Sequence, residues 1–172
     1  MKLKGVDKNF WWNFGHITDS RQIPTELLGF TSIDSEIDDE YLAILFSAVK
    51  TIGSIYLKET QITDEGVKSL SSVGQLRHLT VMKHPGISRE SLPYLNQLTD
   101  LEYLDVWRTG IILEDLRELS QLQKLKELYV SATKADEDGN YAEMEREKIL
   151  EHVIELEDLF PGCAVYVDFD RY

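Results

Sequence analysis

The residues able to do chemistry are few and scattered. Four histidines, His16, His78, His84 and His152, stand far apart, and none belongs to an H-E-x-x-H pair. No Gly-rich phosphate loop and no G-x-S-x-G nucleophile elbow occurs. Nothing supplies a nucleophile, a base and an orienting group together, so the expectation is a protein that is not an enzyme and uses no cofactor. Cys163 is the only cysteine, which excludes an internal disulfide and a Cys-based zinc site. One segment has metal-ligand spacing: Asp136, Asp138, Asn140 and Glu147 stand at positions 1, 3, 5 and 12 of a Ca²⁺ loop. Tyr141 replaces the turn glycine of such a loop, and Glu143 takes the usually apolar eighth position. The same acids would favour a helix N-terminus through its dipole. No metal is assigned.

The elements that must position side chains in this chain repeat. Ile37, Ile62, Ile87 and Ile111 recur at intervals of 25, 25 and 24 residues. Behind each comes an apolar series at i, i+3 and i+6, such as Leu92, Leu95 and Leu98 or Leu116, Leu119 and Leu122. That series lines one face of a short helix. A triplet spaced L-x-x-L-x-L follows: Ile52-Ile55-Leu57, Leu76-Leu79-Val81, Leu101-Leu104-Val106 and Leu125-Leu128-Val130. Its last two members are two residues apart, the strand period. A degenerate earlier unit runs through Phe30 to Ile33. One strand–loop–helix unit cannot hide its own apolar stripes, whereas stacked neighbours share a continuous core. Strands are expected near 54–58, 78–82, 103–107 and 127–131, all parallel in one sheet.

This pattern resembles the leucine-rich-repeat family, in the class reading L-x-x-L-x-L-x-x-T-x-I-T-D-x-G-L. The stretch Ile55-Tyr56-Leu57-Lys58-Glu59-Thr60-Gln61-Ile62-Thr63-Asp64-Glu65-Gly66-Val67 carries the match, and matching positions run from about Thr31 to Thr133. The resemblance implies an α/β solenoid: one curved parallel sheet with helices on its convex side, capped at both ends. It also implies a ladder of Asn, Cys or Thr after each strand, here Thr60, His84, Thr109 and Thr133. His84 departs from that ladder, and His84-Pro85-Gly86 lengthens its loop by one residue, a local bulge that reads as a tolerated loop insertion, with a functional site as the alternative. Members of the family often close on a Pro-(Gly/Asn)-Cys-x-(Val/Ile) segment, so Cys163 is expected to be a buried cap residue.

The organisation expected is a single structural domain in three parts. Residues 1–27, with Phe10, Trp11, Trp12 and Phe14, form an N-terminal aromatic cap. Residues 28–135 hold four clear units and the degenerate one. Residues 136–172 form a C-terminal cap, with a helix from about Asn140 to Leu159, a stop at Pro161-Gly162 and a final strand over Cys163–Asp168. No stretch has the roughly 20 apolar residues that span a bilayer, and no apolar region of a signal peptide follows the first lysines. A cytoplasmic location is the expectation.

In an L-x-x-L-x-L strand the residues between the leucines face away from the core. Stacking turns them into columns: Ser54, His78, Tyr103, Glu127; then Tyr56, Thr80, Asp105, Tyr129; then Lys58, Met82, Trp107, Ser131. Tyr, Trp, Met and His on a solvent-facing sheet have the composition of an interface centre, although sheets also favour aromatics for packing between strands. The partner-binding residues expected are Tyr56, Lys58, His78, Met82, Tyr103, Asp105, Trp107 and Tyr129. The net charge of −13 opposes binding to nucleic acid or anionic membrane, and eight of those charges fall within residues 134–172. The expected function is a non-catalytic module that binds another protein, a basic one, on the concave face. An immunity protein that inhibits a basic toxin is a concrete version. A structural or signalling scaffold with several weak partners is the alternative.

Overall fold

The computed structural model describes residues 1–172. Seven strands form one sheet in chain order: β1 (Glu26–Ile33), β2 (Thr51–Lys58), β3 (His78–Met82), β4 (Tyr103–Asp105), β5 (Glu127–Val130), β6 (Ala164–Val167) and β7 (Asp170–Arg171). The first six pair in parallel, and β7 returns antiparallel to β6. The protein is thus α/β with a mostly parallel sheet. The triplets explain the register, since Ile55, Leu79, Leu104, Leu128 and Val165 lie side by side and all are buried. β4 and β5 stop short of 107 and 131. At β4 the Asp105 carboxylate accepts the Trp107 N–H at 2.9 Å, which turns the backbone out of the ladder, and Arg108 follows in the left-handed region at φ 54°.

A helical segment joins each pair of parallel strands and covers one face of the sheet. α1 (Gly5–Gly15) precedes β1, and α2 (Asp39–Ala48) and α3 (Asp64–Leu70) follow β1 and β2. The third crossover is shorter: a 3-10 turn over Arg89–Ser91 continues into α4 (Leu92–Leu95), and the fourth is a 3-10 helix over Leu113–Glu118. Leucines every three residues lie on one face of a three-residue turn as readily as on an α-helix, and Pro93 removes a backbone donor inside the third crossover. α5 (Arg146–Leu159) starts six residues later than the sequence pattern predicts. The segment before it is held in a loop, where Ala135 bridges to Tyr141 and the Thr133 hydroxyl donates to the Ala142 carbonyl at 2.7 Å.

The helices and the inner sheet face share one core of 38 buried residues. At its N-terminal end α1 lays Trp11 over it at 3% exposure, with Phe10 4.6 Å from the Tyr41 ring of α2. At the other end α5 contributes Ile149, Val153 and Leu156.

Neighbouring units are also tied through their helix starts. Asp38, Thr63 and Ser88 each accept a backbone N–H of the turn they open. The residue after each of the first two reaches into the next unit. Asp39 accepts the Thr63 N–H at 2.8 Å and its hydroxyl at 2.6 Å, and Asp64 accepts the Ser88 N–H at 2.8 Å and its hydroxyl at 2.7 Å. This accounts for the glycine of the Thr-Asp-x-Gly stretch: a Cβ on Gly66 would lie 2.5 Å from the Asp39 carboxylate. One unit on, Ser91 stands in the glycine's place and donates its hydroxyl to Asp64. At the last junction the charges are exchanged, Arg89 standing where the acid was and Asp115 where the glycine was, 4.0 Å apart.

Candidate functional site

The face of the sheet turned away from the helices carries the candidate residues. Strand alternation puts them there, and the register assembles them into rows: Ser54, His78, Tyr103 and Glu127 in one, Tyr56, Thr80, Asp105, Tyr129 and Tyr166 in the next. Lys58 lies opposite Met82 at the ends of β2 and β3. Trp107 and Ser131 lie beyond their strands. Ser131 is buried rather than open, because its hydroxyl accepts the Arg108 N–H at 3.0 Å.

The expected residues divide into two groups. Tyr56 donates its hydroxyl to the Met82 sulfur at 3.7 Å, and these two with Lys58 form the β1-side group. Tyr103, Asp105, Trp107 and Tyr129 form the centre, which His78 joins through its ring, 6.1 Å from that of Tyr103. The rings of Tyr103 and Tyr129 lie 5.3 Å apart, and Tyr129 stacks on Tyr166 at 4.3 Å with an interplanar angle of 3°. Tyr129 donates to Glu127 at 3.1 Å. Burial, reinforced by the charges of Asp105 and Glu127, pushes the Tyr103 phenol up to about 12, and burial with Glu127 raises that of Tyr129 as well. Both are neutral hydrogen-bonding phenols at physiological pH.

Asp105 is the anomaly of this face. It is 4% exposed. One oxygen takes the Trp107 N–H, and the other has no protein hydrogen bond yet is not sealed from solvent. Loss of hydration raises its pKa to about 6, and the Trp107 N–H opposes that only in part.

Three residues of the site belong to the C-terminal hairpin and escape the repeat pattern. Asp168 and Phe169 sit in the left-handed region at φ 49° and 70°, the two-residue loop between β6 and β7. The loop places Phe169 against Trp107, ring centres 4.5 Å apart. Asp168 accepts the Trp107 indole N–H at 3.1 Å and the Ala132 N–H at 3.1 Å. The Arg108 guanidinium covers the Trp107 ring at 4.4 Å and Tyr141 at 5.2 Å. Trp107 is therefore a half-buried pillar between sheet and hairpin. Tyr166 could have been placed in its row from the alternation over Cys163–Asp168. Phe169 could not, because Asp-Phe is not a residue pair that announces such a turn.

Other marked residues have structural work. His84 is buried, and its Nε2 accepts the Thr60 N–H at 3.0 Å and bonds the Thr60 hydroxyl at 2.8 Å. Burial lowers its pKa, with the Val81 carbonyl and Glu59 pulling the other way. Pro85 and Gly86 of the longer loop bulge outward while Ile87 stays in the core. Cys163 is buried, and desolvation followed by the Glu127 charge raises its thiol to about 12, away from nucleophilic chemistry. Asp136 spends one carboxylate oxygen on the N–H groups of Asp138 and Asn140, and no three His, Cys, Asp or Glu side chains converge as a metal site requires. No helix is long and apolar enough to cross a membrane.

No known family model matches this sequence, and no curated protein matches it.

Proposed function

We propose that this chain is a leucine-rich-repeat solenoid whose open sheet face captures another protein without catalysis. The observation that carries the reading is the aromatic surface formed by Tyr103, Tyr129, Tyr166, Trp107 and Phe169. These rings lie outside the core that the helices complete, and rings of this kind are enriched where interfaces are strongest. The unit spacing and the Asp-to-next-cap ties support the solenoid half of the reading. The net charge of −13 supports a basic partner and the sharper version in which the protein neutralises a basic toxin. A complementary field speeds encounter with such a partner.

The test is site-specific photo-crosslinking in native host cells. A photoreactive phenylalanine analogue replaces Tyr103 on the open face or Ser47 on the exposed side of α2. The reading expects one discrete adduct from position 103, reduced by Trp107→Ala, and none from position 47. An adduct from position 47 alone would move the site to the helical layer and refute it.

A further inference from the structure

Resting on the open-face reading, we propose that Asp105 and the rings around it form a receptor for one lysine side chain of the bound protein. The argument begins with what Asp105 does not do. No Lys or Arg of this chain pairs with it, and no cation contributes to its ionisation. Its neighbours are Tyr103 and Trp107 along the chain and Thr80 and Tyr129 across the sheet, none of them cationic. A carboxylate 4% exposed and unpaired is costly to the folded state.

Local structure does not require that cost. The hydrogen bond to the Trp107 N–H needs only an acceptor oxygen, which an asparagine would supply uncharged. The left-handed residue that follows does not need an acid either, since Glu59 and Lys83 adopt the same conformation three residues after Tyr56 and Thr80 of the same row. The charge is what remains unexplained, and an incoming cation would complete it.

The free valence selects the cation. A guanidinium binds a carboxylate best through two parallel hydrogen bonds, one to each oxygen. Here one oxygen is already committed to Trp107. A single uncommitted oxygen suits the compact ammonium of lysine, which binds as a point charge and needs only one acceptor. A trimethylated lysine has no N–H to give and loses that bond.

The probe is the peptide Ac-Gly-Lys-Gly-NH2, with its arginine and norleucine counterparts, titrated into the whole protein carrying ¹³C-labelled aspartate and tyrosine. The expected result is a saturable shift of the Tyr103 and Tyr129 ring resonances with the lysine peptide. The Asp105 titration midpoint falls as the ammonium binds. The arginine peptide binds at least about tenfold more weakly, and norleucine does not bind. Asp105→Asn keeps the folded ring spectrum and loses the lysine response. Equal binding of norleucine, equal or tighter binding of arginine, retained lysine binding in Asp105→Asn, or no saturable shift up to about 0.1 M peptide would each overturn the lysine assignment. Should any of these occur while crosslinking at position 103 still captures one partner, the open-face reading stands and the lysine receptor alone falls.

Discussion

Replacing Asp105 by asparagine should make this protein more stable at neutral pH. The folded carboxyl titrates at about 6 against the ordinary 3.8, mainly because burial strips its hydration. At 1.36 kcal/mol per tenfold change, the ionised form costs the folded state on the order of 3 kcal/mol at pH 7. The sign follows from proton binding. A folded pKa above the unfolded one means that the native state holds the extra proton between about pH 4 and 6. Stability from this group is full below about pH 4 and lost as pH rises through about 6. The asparagine variant keeps the acceptor for the Trp107 N–H but adds an amide with no partner of its own, which returns roughly 1 kcal/mol. A net gain of about 2 kcal/mol at pH 7 is expected. For a chain of 172 residues that is a rise in Tm of about 4–8 °C. The assay is urea unfolding of both proteins from pH 4 to 8, read as the difference between them, so that titrations common to both cancel. The gap should reverse or vanish near pH 4. A wild type more stable than the variant at pH 7, or a gap independent of pH, would refute the reasoning.

Asp64→Ala removes the acceptor for the Ser88 N–H, the Ser88 hydroxyl and the Ser91 hydroxyl, and should cost about 2–4 kcal/mol in urea unfolding. A double-mutant cycle on Arg89 and Asp115, separated by 4.0 Å at a partly exposed position, should give a coupling of only about 0.5 kcal/mol, disappearing in high salt. Trp107→Ala should lower Tm as well as weaken partner binding, because it loses the Asp168 bond and the Phe169 contact; circular-dichroism melting checks it. Truncation after Glu145 removes α5, β6 and β7 and bares Leu116, Leu128 and Val130. Light scattering should show aggregation.

Much of the sheet was legible because its signal is periodic. The triplets located β2, β3, β4 and β5 and the face each side chain occupies, since a one-residue error would have turned every leucine outward. Their ends were not legible, because β4 stops where the Asp105 side chain takes a backbone N–H, an event that leaves no trace in periodicity. β1 was seen only in its second half, because Glu26, Leu28 and Gly29 do not alternate like a half-buried strand, and Leu28 is almost fully exposed. The start of α5 was misplaced because acidic residues that favour a helix N-terminus also favour the hydrogen-bonded loop around Asp136. Of the candidate site, the strand residues were within reach of the sequence. The contributions of Asp168 and Phe169 depend on a two-residue reversal that places residues 61 or more positions away beside Trp107.

The junctions between helix starts bear on how such a chain could be lengthened. Its leucines are nearly interchangeable from unit to unit, so hydrophobic burial alone would accept the units in any order. The polar junctions would not. A copy of the unit around Thr63 and Gly66 presents a glycine to the unit before it and an acid to the unit after it. Set after Arg89, that copy would leave the guanidinium facing a glycine, without the Asp115 carboxylate it now approaches. Duplication of that middle unit therefore preserves complementary edges, whereas a second copy of the first unit would set Asp38 and Tyr41 against Asp39, and insertion after Arg89 leaves the guanidinium without its acid. The array behaves like a keyed stack, in which only the middle key fits a copy of itself.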